Sequence, residues 1–465
     1  MYSVGDKNKY YNLYREIRAD ILRGKLKEGE RLPSKRALAE EVGVSVVTVQ
    51  LAYDQLLAEG YIRSKERSGY FVEAVTAYSA PNAYAEYGGG KRASSPTFQS
   101  GVPVPQPQTD LTRGSAPVSL FPFSVWARLM RRVLADCGEH LLERVPCNGD
   151  RELRAAIANE LYRNRGIDCD PENIVVGGGA EHLYGVIVQL LGRENIFAVE
   201  NPGYGRISST YSLNGAKWVP ITVKIRGMDI SDLQKSNATA AHVSPSHQFP
   251  TGAVMPVSER SRMIEWAADG DKIIIEDDYD SEFRFSAHPV PAMFSLDREE
   301  RVIYMNTFSK SLAPSIRLSY MVLPEKLRHR FQEELGFYSC TVPSFEQYTL
   351  ARFLSRGYFE KHINRMRKFY KNRRNAIVAQ VAGCAGGARM TMEEQDAGLH
   401  FLLRVNTALS DRELTGKLSD RGIRVKALSE YYHDDPGDRH CLVINYSGLR
   451  EEDLGEALTA LCEIM

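Results

Sequence analysis

"NTFSKSLAPSIRLSYMVLP", residues 306–324, sets Lys310 between the hydroxyls of Thr307 and Ser309 on one side and Arg317 on the other. A lysine among hydroxyls suits a Schiff base with an aldehyde-bearing group whose phosphate takes O–H and guanidinium donors. Alone, the pair is a weak signal, and an ordinary surface lysine is the default reading. The residues around it decide between the two readings.

Working outward, short apolar runs alternate with helix-like stretches from residue 111 onward. "NIVVGGG", "IFAVE", "AAHVS", "KIIIEDD" and "RVIYMNTF" are buried-strand candidates, and their alternation with helices predicts an α/β domain with a largely parallel sheet. After about residue 330 the pattern turns helical. Three strand ends carry chemistry. In "VVGGGAEHLYGVIVQLL" a glycine turn opens a helix, so backbone N–H groups at Gly178, Gly179 and Ala180 can approach a phosphate. "VENPGYGR" places Tyr204, whose ring could stack on a flat heterocycle, just before Arg206. "IIIEDDYDSEF" ends a strand with Asp277, a carboxylate able to pair with a protonated ring nitrogen, and Tyr279, a phenol able to bond a ring oxygen. Each reading has a plain structural rival: a glycine turn, a packing tyrosine, a helix-capping acid.

The first 75 residues read differently. Leu13, Ile17, Ile21 and Leu22 mark one face of a first helix, which Gly24 can end. Ser34 caps a second helix that Gly43 closes, and Ser45 caps a third with Val49, Ala52, Leu56 and Leu57 inward. "YIRSKERSGYFVE" follows as two β-rich ends around a basic turn. Three short helices and a hairpin make a winged helix-turn-helix, whose third helix enters the major groove. Residues 76–110, rich in Ala, Gly, Ser and Pro without apolar period, read as a linker.

Formal net charge is 0, so nucleic-acid contact must be local. Seven scattered cysteines without a CxxC pair argue for reduced thiols and against a zinc site. No membrane-length apolar run is present, and a cytoplasmic protein without metal is expected.

"GERLPSKRALAEEVGVS", "AYDQLLAEGYI" and "RSGYFV" resemble the GntR winged helix. "LFPFSVWARLMRRVL", "SPSHQFPTG", "EDDYDSEFRF" and "TFSKSLAPSIRLSYMVLP" resemble the fold-type I aminotransferases that use pyridoxal 5′-phosphate (PLP). Together they identify the chain as similar to the MocR/GabR regulators, with a large subdomain over about 150–330 and a small one over about 331–465. The resemblance implies DNA contacts from Arg31, Ser34, Lys35, Arg36, Ser45 and Thr48, and from a wing around Arg63, Lys65, Arg67 and Gly69. The third helix has no Lys or Arg from Val44 to Glu59, which leaves Thr48, Gln50 and the valines Val46 and Val47 as base readers. It further implies that Lys310 forms the Schiff base, Asp277 holds the pyridine nitrogen, Tyr279 bonds the phenolic oxygen and Tyr204 stacks on the ring. Gly178, Gly179, Ala180, Thr307, Ser309 and Arg317 surround the phosphate, and Arg206 holds an effector carboxylate.

Two departures stand out. Phe249 occupies the place of the ring-bonding asparagine, with His247 as its substitute. Val443 occupies that of the second carboxylate-binding arginine, leaving Arg206 alone or with Arg404 or Arg424. The implied function is a PLP-dependent regulator of promoter DNA, a head-to-tail homodimer that senses an amine, an amino acid or PLP itself. Transamination is expected to be weak at most. The rival is a working aminotransferase with a fused DNA module.

Overall fold

A computed structural model describes residues 9–65, 68–74, 109–112, 114, 117–284, 290–384, 389–393 and 398–465, the side chain of Glu451 excepted. The chain divides into two compact units, residues 1–103 and 104–465. Arg67 and residues 76–108 of the expected linker lie outside the described residues.

In the first unit, α1 (Lys9–Leu22), α2 (Lys35–Val42) and α3 (Val46–Ala58) precede an antiparallel hairpin of β1 (Ile62–Lys65) and β2 (Gly69–Val72). Local chemistry sets the boundaries. The Ser34 and Ser45 side chains accept from the N–H groups of Ala37 and Thr48, and Gly43 ends α2 at φ +71°, a conformation that costs glycine little. Leu13, Ile17, Ile21, Val49, Ala52 and Leu56 form the shared core. Leu22 does not join them: it is 47% exposed, at the frayed last position of α1.

The second unit opens with β3 (Thr109–Asp110), α4 (Phe123–Cys137) and α5 (Arg151–Arg165). Next come β4 (Ile174–Gly177), α6 (Ala180–Leu191), β5 (Ile196–Asn201), α7 (Gly205–Leu213), β6 (Lys217–Lys224), β7 (Gly227–Met228) and α8 (Ile230–Lys235). They lead into β8 (Ala240–Val243), α9 (Val257–Ala268), β9 (Ile273–Asp277), α10 (Met293–Leu296), β10 (Val302–Thr307), α11 (Phe308–Ser311) and β11 (Ser319–Val322). Eight strands pair in the order β4-β11-β10-β9-β8-β5-β6-β7. β10, β9, β8, β5 and β6 run parallel, while β11 and β7 run antiparallel to their neighbours. All five strand candidates are strands of this sheet; β6, β7 and β11 add to them.

Successive residues of a strand face opposite sides. Val175, Ile275, Ile303 and Met305 pack beneath α6, α7 and the later α12 (Glu325–Leu335), whereas Ile174, Ile274, Val302 and Tyr304 pack on the other face against α5 and α9. Covering both faces is why these strands read as unbroken apolar runs.

After α12 come α13 (Ser344–Ser355) and the 26-residue α14 (Tyr358–Gly383). The helical pattern then stops, contrary to the expectation. β12 (Met390–Glu393), β13 (His400–Val405), α15 (Asp411–Asp420), β14 (Ile423–Arg424), β15 (Lys426–Ala427), β16 (Cys441–Asn445) and α16 (Glu451–Ile464) build a second sheet, ordered β12-β13-β16-β15. β12 and β15 are short, and β13 and β16 are buried almost throughout, so no two-residue period shows. β14 pairs in parallel with β3, so Thr109 and Asp110, expected in the linker, belong to this unit.

Arg260 on α9 is wholly buried. It donates to the carbonyls of Met255, Pro291 and Pro245 at 2.8–2.9 Å and lies 3.5 Å from Glu276. Removing a partner from such a group leaves the remainder desolvated and unpaired. We expect Arg260→Met to cost about 3–5 kcal/mol, read as a lowered urea midpoint of the larger unit; a change within ±0.5 kcal/mol, the range of surface substitutions, would contradict this role.

Candidate functional site

The parallel strands end along one edge, where open α/β sheets bind ligands. β9 ends at Asp277, which pairs with Met305 of β10, and β10 ends at Thr307. Thr307 caps the short α11, its side chain accepting from the Ser309 N–H at 3.1 Å, and also accepts from Ser319 Oγ at 2.8 Å. One residue beyond Ser309, the amine of Lys310 lies 3.5 Å from the Gly114 carbonyl. Burial pushes the lysine's pKa down, the nearby Asp280 charge opposes this, and Arg206 adds to it. A lysine with a lowered pKa is nucleophilic nearer neutral pH than an exposed one.

At the end of β4, Gly179 has φ +106°, and a Cβ there would stand 2.4 Å from Arg317 Nη2. Gly178 and Gly179, the α6 N-terminus and Arg317 therefore lie together, and the register Thr307↔Ser319↔Gly177 sets Thr307 two strands from the glycine turn. Asp277 is buried and accepts from Tyr184 Oη at 2.6 Å. His242 Nε2 lies 3.5 Å away, and its Nδ1 meets Tyr211 Oη at 2.6 Å. Burial first, and then Asp277, drive the Tyr184 hydroxyl pKa far up, so it remains a donor. Tyr279 Oη lies 3.3 Å from His247 Nδ1, which meets Asp280 at 2.8 Å. Tyr204 is 39% exposed, with its ring 5.9 Å from that of Phe249.

Other expected residues are placed differently. Arg424 lies 3.9 Å from Asp110, and Arg404 forks onto Glu393 at 2.8 and 3.1 Å; neither joins the Lys310 group. Arg206 bonds Glu181 at 2.9 Å, as does Arg317. Glu181, Tyr184, His242, Asp280 and His400 were missed. Asp280 alone had a signal, its place in the acidic run after β9.

In the first unit, Val46, Val47 and Leu51 stand 45–67% exposed on α3. Thr48 Oγ1 meets Ser45 Oγ at 2.8 Å. Lys35 bonds the Gln50 side chain, whose amide donates to Asp54, so these two expected DNA contacts hold each other. Arg31 lies over Gly69, and Arg63 pairs with Glu73 at 3.2 Å. Ser34 and Ser45 serve as caps, while Arg36 and Lys65 are exposed.

The family model "Aminotransferase class I and II" matches residues 107–461, and "Bacterial regulatory proteins, gntR family" matches 9–72. The uncharacterized HTH-type transcriptional regulator YdeL of Bacillus subtilis is 36% identical over 97% of this chain and 96% of its own length. The probable rhizopine catabolism regulatory protein MocR of Rhizobium meliloti is 34% identical over 98% and 93%. Among solved structures, a kynurenine aminotransferase of Pyrococcus horikoshii superposes with a TM-score of 0.68, at 25% identity, over 76% of this chain and 89% of its own.

Two acids near the site, the buried Glu200 and the half-buried Glu282, are shifted upward in pKa. Burial raises Glu200, beside the Tyr204 turn, to about 8, and Glu282, after the acidic run, also to about 8. In an unfolded chain both titrate near 4.3. Their contribution to stability is complete below that value and is lost as pH rises through 8. The urea midpoint should fall between pH 6 and 8.5, with a shallower slope in Glu200→Gln; an unchanged slope would place Glu200 ionised in the fold.

Proposed function

This chain belongs to the MocR/GabR family, in which a GntR-type winged helix precedes a class I and II aminotransferase domain, and we propose that it is a PLP-binding transcriptional regulator whose grip on promoter DNA answers to an amine or to PLP itself. One observation carries the reading. A half-buried lysine amine follows β10; the neighbouring β9 ends in a carboxylate that a phenol bonds, and β4 ends in a glycine turn faced by a guanidinium.

PLP asks for these three things at these places. Its aldehyde requires a primary amine, its ring nitrogen an acid, and its phosphate backbone N–H groups, hydroxyls and an arginine. The Gly179 cradle, which any Cβ would close, supports the fit. Lys310 would hold the cofactor through its amine. Asp277, kept in position by Tyr184, would keep the pyridine nitrogen protonated, and Tyr279 with His247 would face the ring oxygen. Tyr204 would cover the ring, while Arg317, Ser309 and Thr307 would receive the phosphate. Bound PLP supplies an electrophilic carbon that exchanges one amine for another.

Turnover needs more than exchange. A proton must leave from a bond held perpendicular to the ring, and misplacement by about 1 Å can cost on the order of a hundredfold. Two cations on the substrate carboxylate give that alignment. Here Val443 is buried among Leu402, Leu428 and Cys441, with Phe249 and Tyr431 against the cluster, which favours sensing over catalysis. A signal acts only insofar as it binds the DNA-competent and DNA-incompetent states unequally. We read the chain as a cytoplasmic homodimer; among the described residues no helix is long and apolar enough to cross a membrane.

Native protein should be yellow and carry an adduct that borohydride fixes to the chain, and Lys310→Ala should lose it; an equal adduct in the variant would place the cofactor on another amine. For DNA, α3 offers hydroxyl and apolar groups, so phosphate contact falls to Arg31, Arg36 and the wing. Lys65→Ala should weaken specific and random DNA alike and reduce the salt slope by about one counterion, whereas Thr48→Ala should relax sequence preference. Binding isotherms at several salt concentrations check both, and an unaltered slope for Lys65→Ala would contradict this division.

A further inference from the structure

The two arginines that face the site are already engaged. Glu181, the second residue of α6, places Oε1 2.9 Å from Arg206 Nη1 and Oε2 2.9 Å from Arg317 Nη2. Burial would raise this carboxyl's pKa, but its own backbone N–H and the two guanidiniums outweigh that and hold it below the usual carboxylate range. It is therefore an anion at neutral pH, built into the place where a ligand's anion would go.

Among the described residues the opposite wall offers no replacement cation. Asn445 of β16 looks toward Lys310: a Cβ built on Gly114 would meet Asn445 Nδ2 at 2.7 Å and Lys310 Nζ at 2.8 Å. Val443, two residues earlier, shares that face of the strand. It is 3% exposed. Phe249 packs beside it, its ring 5.2 Å from Tyr431, 5.0 Å from His400 and 5.9 Å from Tyr204. His400 Nε2 lies 3.0 Å from the Pro250 carbonyl, and burial holds its pKa well down, so the ring is neutral. A carboxylate brought into this wall would lose hydration without gaining a charge partner, which is costly. A carboxylate brought to Arg206 must displace Glu181.

From these two walls we propose that the amine site takes a primary amine lacking a carboxylate, and that Glu181 sets this preference by occupying Arg206. The proposal rests on the PLP-sensor reading above. It makes Glu181 a specificity-determining residue that acts through Arg206: it discriminates against an anionic ligand by competition for that arginine and leaves amines without a carboxylate unaffected.

The test uses full-length protein loaded with PLP and follows the cofactor's absorbance during titration with matched pairs, phenethylamine against phenylalanine and butane-1,4-diamine against ornithine. The amine of each pair should act at a concentration about tenfold lower than its amino acid, the scale of one charge-assisted hydrogen bond. Glu181→Gln, which keeps the shape and removes the charge, should move that ratio about tenfold toward the amino acid. Glu181→Asp should retain the native order. Amino acids that act as well as or better than their amines on native protein would overturn the proposal without need of any variant, and so would an unmoved ratio in Glu181→Gln. A spectrum that answers to neither member of either pair would overturn it while leaving PLP itself as the signal. Failure of any PLP chromophore to form would bring down the sensor reading, and this inference with it.

Discussion

Three consecutive carboxylates, Glu276, Asp277 and Asp278, sit buried at the end of β9, and the rest of the site follows from how each is satisfied. Leaving any of them unpaired would cost several kcal/mol. Strand alternation sends Glu276 and Asp277 to opposite faces. Glu276 accepts from the N–H groups of Met293 and Phe294 at 2.9 and 3.0 Å and faces Arg260. Asp278 meets Arg165 at 2.8 Å and Tyr304 Oη at 2.7 Å. These bonds tie α5, α9 and the start of α10 to one strand end. Asp277 is held by Tyr184 on the other face.

The rigidity so obtained explains how one scaffold can serve as enzyme or as sensor. The anchor, the lysine and the glycine cradle sit on sheet and helix ends, where geometry is stiff. What separates the two uses lies at the opposite wall and at one helix residue. Val443 and Phe249 make that wall apolar, and Glu181 neutralises the arginines facing it. On the proposed reading, the chemistry that accepts an amine is kept, while the grip that would orient a carboxylate for proton removal is given up. A sensor gains from the exchange, because its signal is not consumed.

The same separation of stiff frame from variable contact holds in the smaller unit. Serine caps and a left-handed Gly43 define where α2 and α3 begin and end. The reading surface of α3 is left to Val46, Val47 and Thr48, with cations around rather than on it. Lys35 and Gln50 look like independent DNA contacts in the sequence, yet lie within reach of each other. Helix spacing within α3 is local information; the approach of α2 to it is not.

What the sequence by itself determined were the features written in local spacing. The winged helix is set by its caps and hairpin, and the parallel sheet by its apolar runs. The positions of Lys310, Asp277, Arg317 and the glycine turn follow from their places at strand ends. Each depends on the φ/ψ preferences and side-chain period of a few adjacent residues, which the sequence states directly. Tertiary structure alone decided the pairings. Glu181 came to share Arg206 and Arg317, Tyr184 came to hold Asp277, Arg424 met Asp110, and the short strands of the second sheet assembled after α14. Such contacts join segments far apart in the chain, and their strength depends on burial and mutual approach. No local period encodes these, so packing alone settles which carboxylate meets which cation.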